Sequence, residues 1–205
     1  MTSWISPDLF APKDHRPWPL DPLEPQAYSL IMADPPWRFE LYSELGEEKS
    51  AEAQYQTMSL DDIGALPVGD LARADCLLWL WATAPLLPQA LGVMRTWGFE
   101  YVTSGAWVKR TVNGKMRWGT GYRLRSCHEP FLIGVRGEPK TKRDVPSVID
   151  GLAREHSRKP DSAYTWAERM LIETDVRRAD VFSRERRAGW ESFGNEADKF
   201  DGEKA

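Results

Sequence analysis

The segment SLIMADPPWRF, Ser29 to Phe39, sets an acid, two prolines and a tryptophan directly after a run suited to a buried strand. Asp-Pro is an ordinary turn opener. Two consecutive prolines are less ordinary, because they lock the backbone and remove two N–H donors. The Asp34 carboxylate is thereby expected at a strand's carboxyl end, beside the carbonyls of a stiff backbone and the aromatic face of Trp37. That combination suits one kind of chemistry. An amino group on a conjugated ring, such as the exocyclic amine of adenine, is a poor nucleophile because its lone pair is delocalised. Two acceptors, one on each N–H, draw the nitrogen toward tetrahedral geometry and aim its lone pair at an electrophile. Asp34 supplies a carboxylate acceptor and the Pro35 carbonyl a second, while Pro36 keeps the turn rigid, so the alignment is preorganised. Trp37 offers a stacking face. Positive charge growing on the nitrogen is stabilised by Asp34 most strongly in the transition state. The electrophile would be a sulfonium cofactor, which carries the difficult chemistry itself.

A second stretch, WVKRTVNGKMRWGTGYRLR, interleaves Lys109, Arg110, Lys115, Arg117, Arg123 and Arg125 with Trp107, Trp118 and Tyr122. The chain's net charge of −4 conceals an asymmetry. Residues 101–192 hold 19 Lys and Arg against 12 Asp and Glu, a balance of +7, and the rest hold 8 against 19, a balance of −11. Cations for phosphates beside aromatic faces for bases fit a single-stranded or flipped-out nucleotide. A solvated hairpin with aromatics packed beneath it fits the pattern equally well.

The elements that must position these residues are legible in outline. Strand signals fall at Tyr28–Ala33, Cys76–Ala82, Tyr101–Lys109, Pro130–Val135 and Ala179–Ser183. Between them Ser59 and Asp62 resemble a capping box opening a short helix. LLPQALGVMRTWGF has helical spacing and stops at Gly98, and PDSAYTWAERMLIET is a third amphipathic helix, with Ala163, Trp166, Met170 and Ile172 as its buried positions. Strands separated by helices predict an α/β sheet with crossover connections, and a ligand site beyond the strands' carboxyl ends. Residues 1–27 contain six prolines and read as an extended arm, residues 28–196 as the domain, and 197–205 as a frayed tail. At 205 residues, one domain with a sizeable core is expected. Neither a membrane span nor a signal peptide is visible, and Cys76, Cys127 and the three histidines lack metal-ligand or disulfide spacing. A reduced, cytoplasmic protein without a metal is the expectation.

The ADPPW motif after a strand resembles the signature of the DPPW-type, beta-class adenine N6-methyltransferases. These are relatives of the catalytic subunit of the eukaryotic messenger-RNA adenosine methyltransferase, with bacterial and phage members. YQTMSLDDI, GTGYRLRSCHEPFLIGVRGEP, REHSRKPDSAY and VFSRERRAGWESFGNE resemble further segments of that family in the same order, so the similarity runs from about Tyr28 to Glu196. The resemblance implies a Rossmann-like, S-adenosylmethionine-dependent methyltransferase fold: a mostly parallel central sheet flanked by helices, with the catalytic motif preceding the main cofactor segment. Asp34, Pro35, Pro36 and Trp37 would form the catalytic motif, with Asp34 also close to the cofactor. Tyr55 matches a tyrosine that helps hold the target base, and Lys159 a lysine near the cofactor. Phe182, Arg184, Arg186, Arg187, Asn195 and Glu196 fall where the family contacts the cofactor's ribose, adenine and carboxylate. Lys109, Arg110, Lys115, Arg117 and Trp118 are the further residues expected at the nucleic acid.

Two departures stand out. Ser183 and Glu185 occupy positions where beta-class DNA enzymes commonly carry glycines, and the family's acidic segment that contacts the cofactor adenine has no match before Tyr28. These residues include no separate target-recognition or zinc-finger module, so substrate contact is expected from the basic hairpin, the loop from Arg38 to Gln54, or a partner chain. The leading function is N6-methylation of adenine in DNA by a compact prokaryotic or phage enzyme. RNA adenine methylation is the first alternative, because the 2′-hydroxyl contacts that separate RNA from DNA leave no short motif. A non-catalytic nucleic-acid-binding subunit of a methyltransferase complex is the alternative of another class, against which the presence of Asp34 counts. The partner is therefore nucleic acid, DNA ahead of RNA, with a homo- or heterodimer left open and no membrane.

Overall fold

A computed structural model describes residues 17–38, 57–121, 123–154 and 158–202. Its centre is a run of apolar strands. β1 (Tyr28–Ala33) and β2 (Ala72–Trp81) are buried over nearly all of their apolar lengths, as parallel strands covered on both faces must be. They are joined by β3 (Glu100–Arg110), β4 (His128–Arg136), β5 (Val148–Leu152), β6 (Arg178–Val181) and β7 (Glu191–Phe193) in the order β5-β3-β4-β2-β1-β6-β7. β4 runs antiparallel to both β2 and β3, and the other neighbours are parallel. The sheet is thus mostly parallel, as expected of a Rossmann-like domain. β5 and β7 are additions to the predicted strands. VIDGL interrupts its apolar residues with Asp and Gly, and β7 has three residues, so neither gives a strong strand signal.

Alternate side chains of the central strands supply two cores. On one face Ile31, Ala33, Leu78 and Leu80 pack with residues of α1 (Leu60–Ala65) and α2 (Leu87–Thr96). On the other, Met32, Trp79, Trp81, Trp107 and Phe131 pack with Ala163 and Ala167 of α3 (Asp161–Met170). The cap of α1 forms as predicted, the Ser59 hydroxyl accepting from the Asp62 N–H at 3.1 Å. α2 is followed by Gly98 at φ +77, a left-handed position that glycine adopts without strain. In α3 the deeply buried pair is Ala163 and Ala167, four residues apart, with Trp166 and Met170 half-buried. Ile172 is exposed, contrary to expectation, because the helix ends at Met170 and the extended Leu171 enters the core instead.

Both ends of the described chain are more embedded than an arm and a tail. Leu20 and Leu23 lie in the first core, and Gln26 and Ala27 donate backbone hydrogen bonds to Asp70 and Leu71. At the other end Phe200 is buried, donates its N–H to the Arg184 carbonyl, and lies beneath the Arg158 guanidinium.

Candidate active site

β1 sits between β2 and β6, and the chain leaves its carboxyl end through Asp34. The Asp34 N–H donates to the Val181 carbonyl at 3.2 Å, so β1–β6 pairing continues through the acid itself. Beyond it the Trp37 N–H donates to the Pro35 carbonyl at 2.8 Å and the Met58 N–H to the Pro36 carbonyl at 3.0 Å. The Pro35 oxygen keeps a second lone pair for a substrate amine. Trp37 is placed differently from the stacking face expected of it. Its ring is buried in the first core and its Nε1 donates to the Trp81 carbonyl at 3.1 Å, which pins the proline turn to the end of β2.

Asp34 is the outer member of a chain of alternating charges. Its Oδ2 accepts from Lys159 Nζ at 2.7 Å, Lys159 Nζ lies 2.6 Å from Glu129 Oε1, and Glu129 Oε2 lies 2.6 Å from Lys109 Nζ. The side chains of Lys159 and Glu129 are buried, whereas that of Asp34 is 26% exposed, so Asp34 is the carboxylate open to a ligand. Aromatic faces line the chain: Lys159 Nζ lies 5.2 Å from the Trp81 ring centre and Lys109 Nζ 4.9 Å from that of Trp107. Burial opposes charge on Lys159, but Asp34 and Glu129 outweigh it and raise its affinity for a proton above that of an ordinary lysine. Burial likewise pushes Glu129 up, and Lys159 with Lys109 more than reverses this, holding the carboxyl below its usual range. Asp34 is displaced upward by burial first and by Glu129 next, against the pull of Lys159.

Glu129 is the member of this ion chain that the sequence motifs do not single out. β4 runs against its neighbours, so its first residues lie level with the last residues of β2 and β3, as the pairing of Trp107 with Glu129 and Trp81 with Phe131 shows. The usable signal was an acid directly before PFLIGV, where an apolar strand leaves it no solvent.

At the carboxyl end of β6 the expected glycine cradle is replaced by another device. Phe182 is left-handed at φ +67, and Ser183 is buried with its N–H donating to the Phe193 carbonyl at 2.9 Å. Gly194 approaches so closely that a Cβ there would lie 2.4 Å from the Ser183 carbonyl oxygen. The close backbone approach here is made by Gly194, at the end of β7. Arg184 is largely covered, with its Nε 3.9 Å from Glu196 Oε2, and Glu196 also pairs with Lys199 at 2.6 Å; Asn195 is exposed. Arg186 and Arg187 are drawn elsewhere. Arg186 is 71% exposed beside Asp201. Arg187 bridges Asp161 at 2.6 Å and Glu185 at 2.7 Å, with its guanidinium 4.0 Å from the Tyr164 ring centre. Asp180, on β6, accepts from the Tyr164 hydroxyl at 2.9 Å, and burial raises it to about 7 despite hydrogen bonds from Tyr164 and Ser183.

The predicted nucleic-acid residues divide. Lys109 ends the ion chain, and Arg110 grips Asp150 with Nε at 2.8 Å and Nη2 at 2.7 Å. Lys115, Arg117 and Trp118 are exposed at the outer end of the β3–β4 hairpin. Tyr55, Tyr122 and residues 39–54 lie outside the described residues. Among the described residues, no group of three or more His, Cys, Asp or Glu side chains could hold a metal ion, and no helix is long and apolar enough to cross a membrane.

The fold and site define a Rossmann-like α/β protein with a partly open carboxylate, Asp34, at the switch point of the sheet. Residues 28–196 match the MT-A70 family, and the chain belongs to that family. It is 33% identical over 174 residues to an N(6)-adenosine-methyltransferase MT-A70-like protein of Arabidopsis thaliana, a match covering 82% of this chain and 24% of the relative. The human N(6)-adenosine-methyltransferase catalytic subunit METTL3 is 30% identical over 177 residues, covering 83% of this chain and 28% of that one. The Type II methyltransferase M.MunI of a Mycoplasma species is 28% identical over 208 residues, covering 91% of this chain and 86% of the relative. The chain thus spans about a quarter of the plant and human relatives' length and most of M.MunI's.

MT-A70 methyltransferases use S-adenosylmethionine as methyl donor. The donor set at the ends of β1 and β6 fits that zwitterion chemically. Asp34 is an acceptor for an ammonium, Arg184 a cation for a carboxylate, and Asn195 and Glu196 are partners for a ribose diol.

Proposed function

We infer that this protein transfers a methyl group from S-adenosylmethionine to the exocyclic N6 amine of adenine in DNA. The observation that carries the reading is the partly open Asp34 carboxylate, held at 2.7 Å by a buried lysine at the end of β1 and followed by the fixed Pro35 carbonyl. When bound, the cofactor supplies an electrophilic methyl on a sulfonium. Asp34 and the Pro35 carbonyl each accept one N–H of the adenine amine, which localises its lone pair. Lys159 holds Asp34 in place, so the carboxylate needs no reorganisation as the nitrogen becomes positive. Burial of Trp37 makes it a strut for this turn, and the base finds its stacking partner on another side chain. Tyr55 and Trp118 are the aromatic residues proposed for that contact, and Lys115 and Arg117 the phosphate anchors. Phe182, Arg184, Asn195 and Glu196 are proposed to hold the cofactor. Support for DNA comes from M.MunI, a Type II methyltransferase alignable over most of both chains. The names of the plant and human relatives favour adenosine in RNA as the second reading.

The test supplies tritiated S-adenosylmethionine with genomic DNA free of N6-methyladenine, and with RNA transcribed from the same sequence. Digestion to nucleosides and mass spectrometry should find N6-methyldeoxyadenosine as the main product. Label in RNA alone would establish the second reading, and label at any other atom would overturn both.

A further inference from the structure

The connection between β3 and β4 makes two successive turns, described over residues 111–121 and 123–127. In the first, the Thr111 N–H donates to the Lys115 carbonyl and the Gly114 N–H to the Thr111 carbonyl, both at 2.8 Å, with Gly114 left-handed at φ +73. The Arg117 N–H then returns to the Lys109 carbonyl at 2.8 Å. The second turn is closed by the Gly119 N–H to the Ser126 carbonyl at 2.5 Å, the Ser126 N–H to the Thr120 carbonyl at 3.0 Å, and Arg125 Nε to the Gly119 carbonyl at 2.6 Å. Each turn carries one large aliphatic side chain outward: Val112 is 84% exposed and Leu124 85%. Neither belongs to a hydrophobic core. Residues 111–127 contain four cations, Lys115, Arg117, Arg123 and Arg125, and no acid. Arg125 is held by the Gly119 carbonyl, and none of the four forms an ion pair with an acid among the described residues.

We propose that this twin-turn tip is a wedge that enters a nucleic-acid duplex, with Val112 and Leu124 displacing the target adenine from its stack. The proposal rests on the DNA reading above and adds that the enzyme takes intact duplex. Adenine in a duplex cannot reach a buried-edge carboxylate such as Asp34, so the base must leave the helix first. Apolar side chains inserted between base steps meet that need, and the surrounding cations hold the phosphates on either side. A second copy of this chain docking by the same tip would oppose four cations to four cations. A polyanion complements them. The placement suits a wedge as well. Val112 is three residues beyond Lys109, at most about 10 Å of chain, or roughly three base steps at about 3.4 Å each. Lys109 is in turn joined to Asp34 through Glu129 and Lys159, so the tip and the carboxylate that receives the base belong to one connected structure.

The experiment compares methyl transfer to native and heat-denatured genomic DNA free of N6-methyladenine, for wild type and for Val112→Ser with Leu124→Ser. Because both side chains are exposed, the double variant should keep wild-type thermal unfolding and cofactor binding. Its initial rate on native DNA should fall about tenfold or more, while its rate on denatured DNA changes less than about twofold. Val112→Leu with Leu124→Met, which keeps both prongs apolar, should retain native-DNA activity. An unchanged rate on native DNA, or an equal loss on both forms, would overturn the wedge while leaving DNA methylation standing. A wild-type enzyme that modifies neither form of DNA would remove the DNA reading and the wedge together.

Discussion

At the root of the β3–β4 hairpin, Lys109 lies 2.6 Å from Glu129 and Arg110 is 2.7 Å from Asp150. Further along the same hairpin Lys115 and Arg117 have no acid beside them among the described residues. In sequence these four cations form one basic cluster, and all four invite the same reading as phosphate contacts. The fold separates them by depth. Lys109 and Arg110 are half-buried against acids of neighbouring strands, whereas Lys115 and Arg117 are exposed and available to a polyanion. Charge density along a chain therefore overcounts phosphate contacts wherever a hairpin begins inside a domain.

The largest break in this comparison is at the far end of the ion chain. Asp34→Ala should lower single-turnover methyl transfer by a factor of about a hundred to a thousand with the fold retained, the usual cost of one preorganised transition-state contact. Retention of more than about a tenth of the rate would remove Asp34 from its role. Next, Glu129→Ala leaves Lys159 with Asp34 and strands Lys109, so unfolding in urea should reveal a loss of about 3 to 5 kcal/mol, as when one partner of a buried pair is removed. A change within the error of the extrapolation would show that the chain is dispensable.

A third prediction concerns pH. Asp180 is raised to about 7 in the folded protein, above an unfolded value of about 3.9. Its contribution to stability is fully present below the unfolded value and is lost as pH rises through about 7, because the folded state holds the proton longer. Over three pH units this is about 4 kcal/mol at most. In Asp180→Asn that downward slope should disappear from urea midpoints measured between pH 4 and 8. A variant with the wild-type slope would assign the effect to other groups. The smallest effect sharpens the comparison most. Lys115→Ala with Arg117→Ala should flatten the salt dependence of DNA binding by about two units of log slope, and Lys109→Ala with Arg110→Ala should leave it unchanged. Equal slopes for the two double variants would erase the distinction between root and tip.

Much of the site was legible because its signals are local. A strand, an acid and two prolines within eleven residues place Asp34 at a strand's carboxyl end, and the helix limits follow from Ser59 and Gly98. What escaped is long-range. Lys159 and Glu129 meet through α3's approach and the reversed direction of β4, neither of which any spacing encodes. Trp37 offers the same ring to a base or to a core, and only the position of Trp81 decides. Phe200 looked like tail because one aromatic among charges has no period, yet Arg158 gives it a place to pack.

β1 makes its ladder with β6, pairing Ile31 with Ala179, and Asp34 takes its cation from Lys159, 125 residues away in the chain. The DPPW motif is made early in synthesis, and the partners of its acid are made late. Closing contacts across such separations is slow and comes near the end of folding. A nascent chain that has emerged as far as β5 therefore displays its proline turn with no lysine beside the acid and no β6 along its strand. The acid gains its buried lysine and its flanking strand only when the two ends of the domain meet.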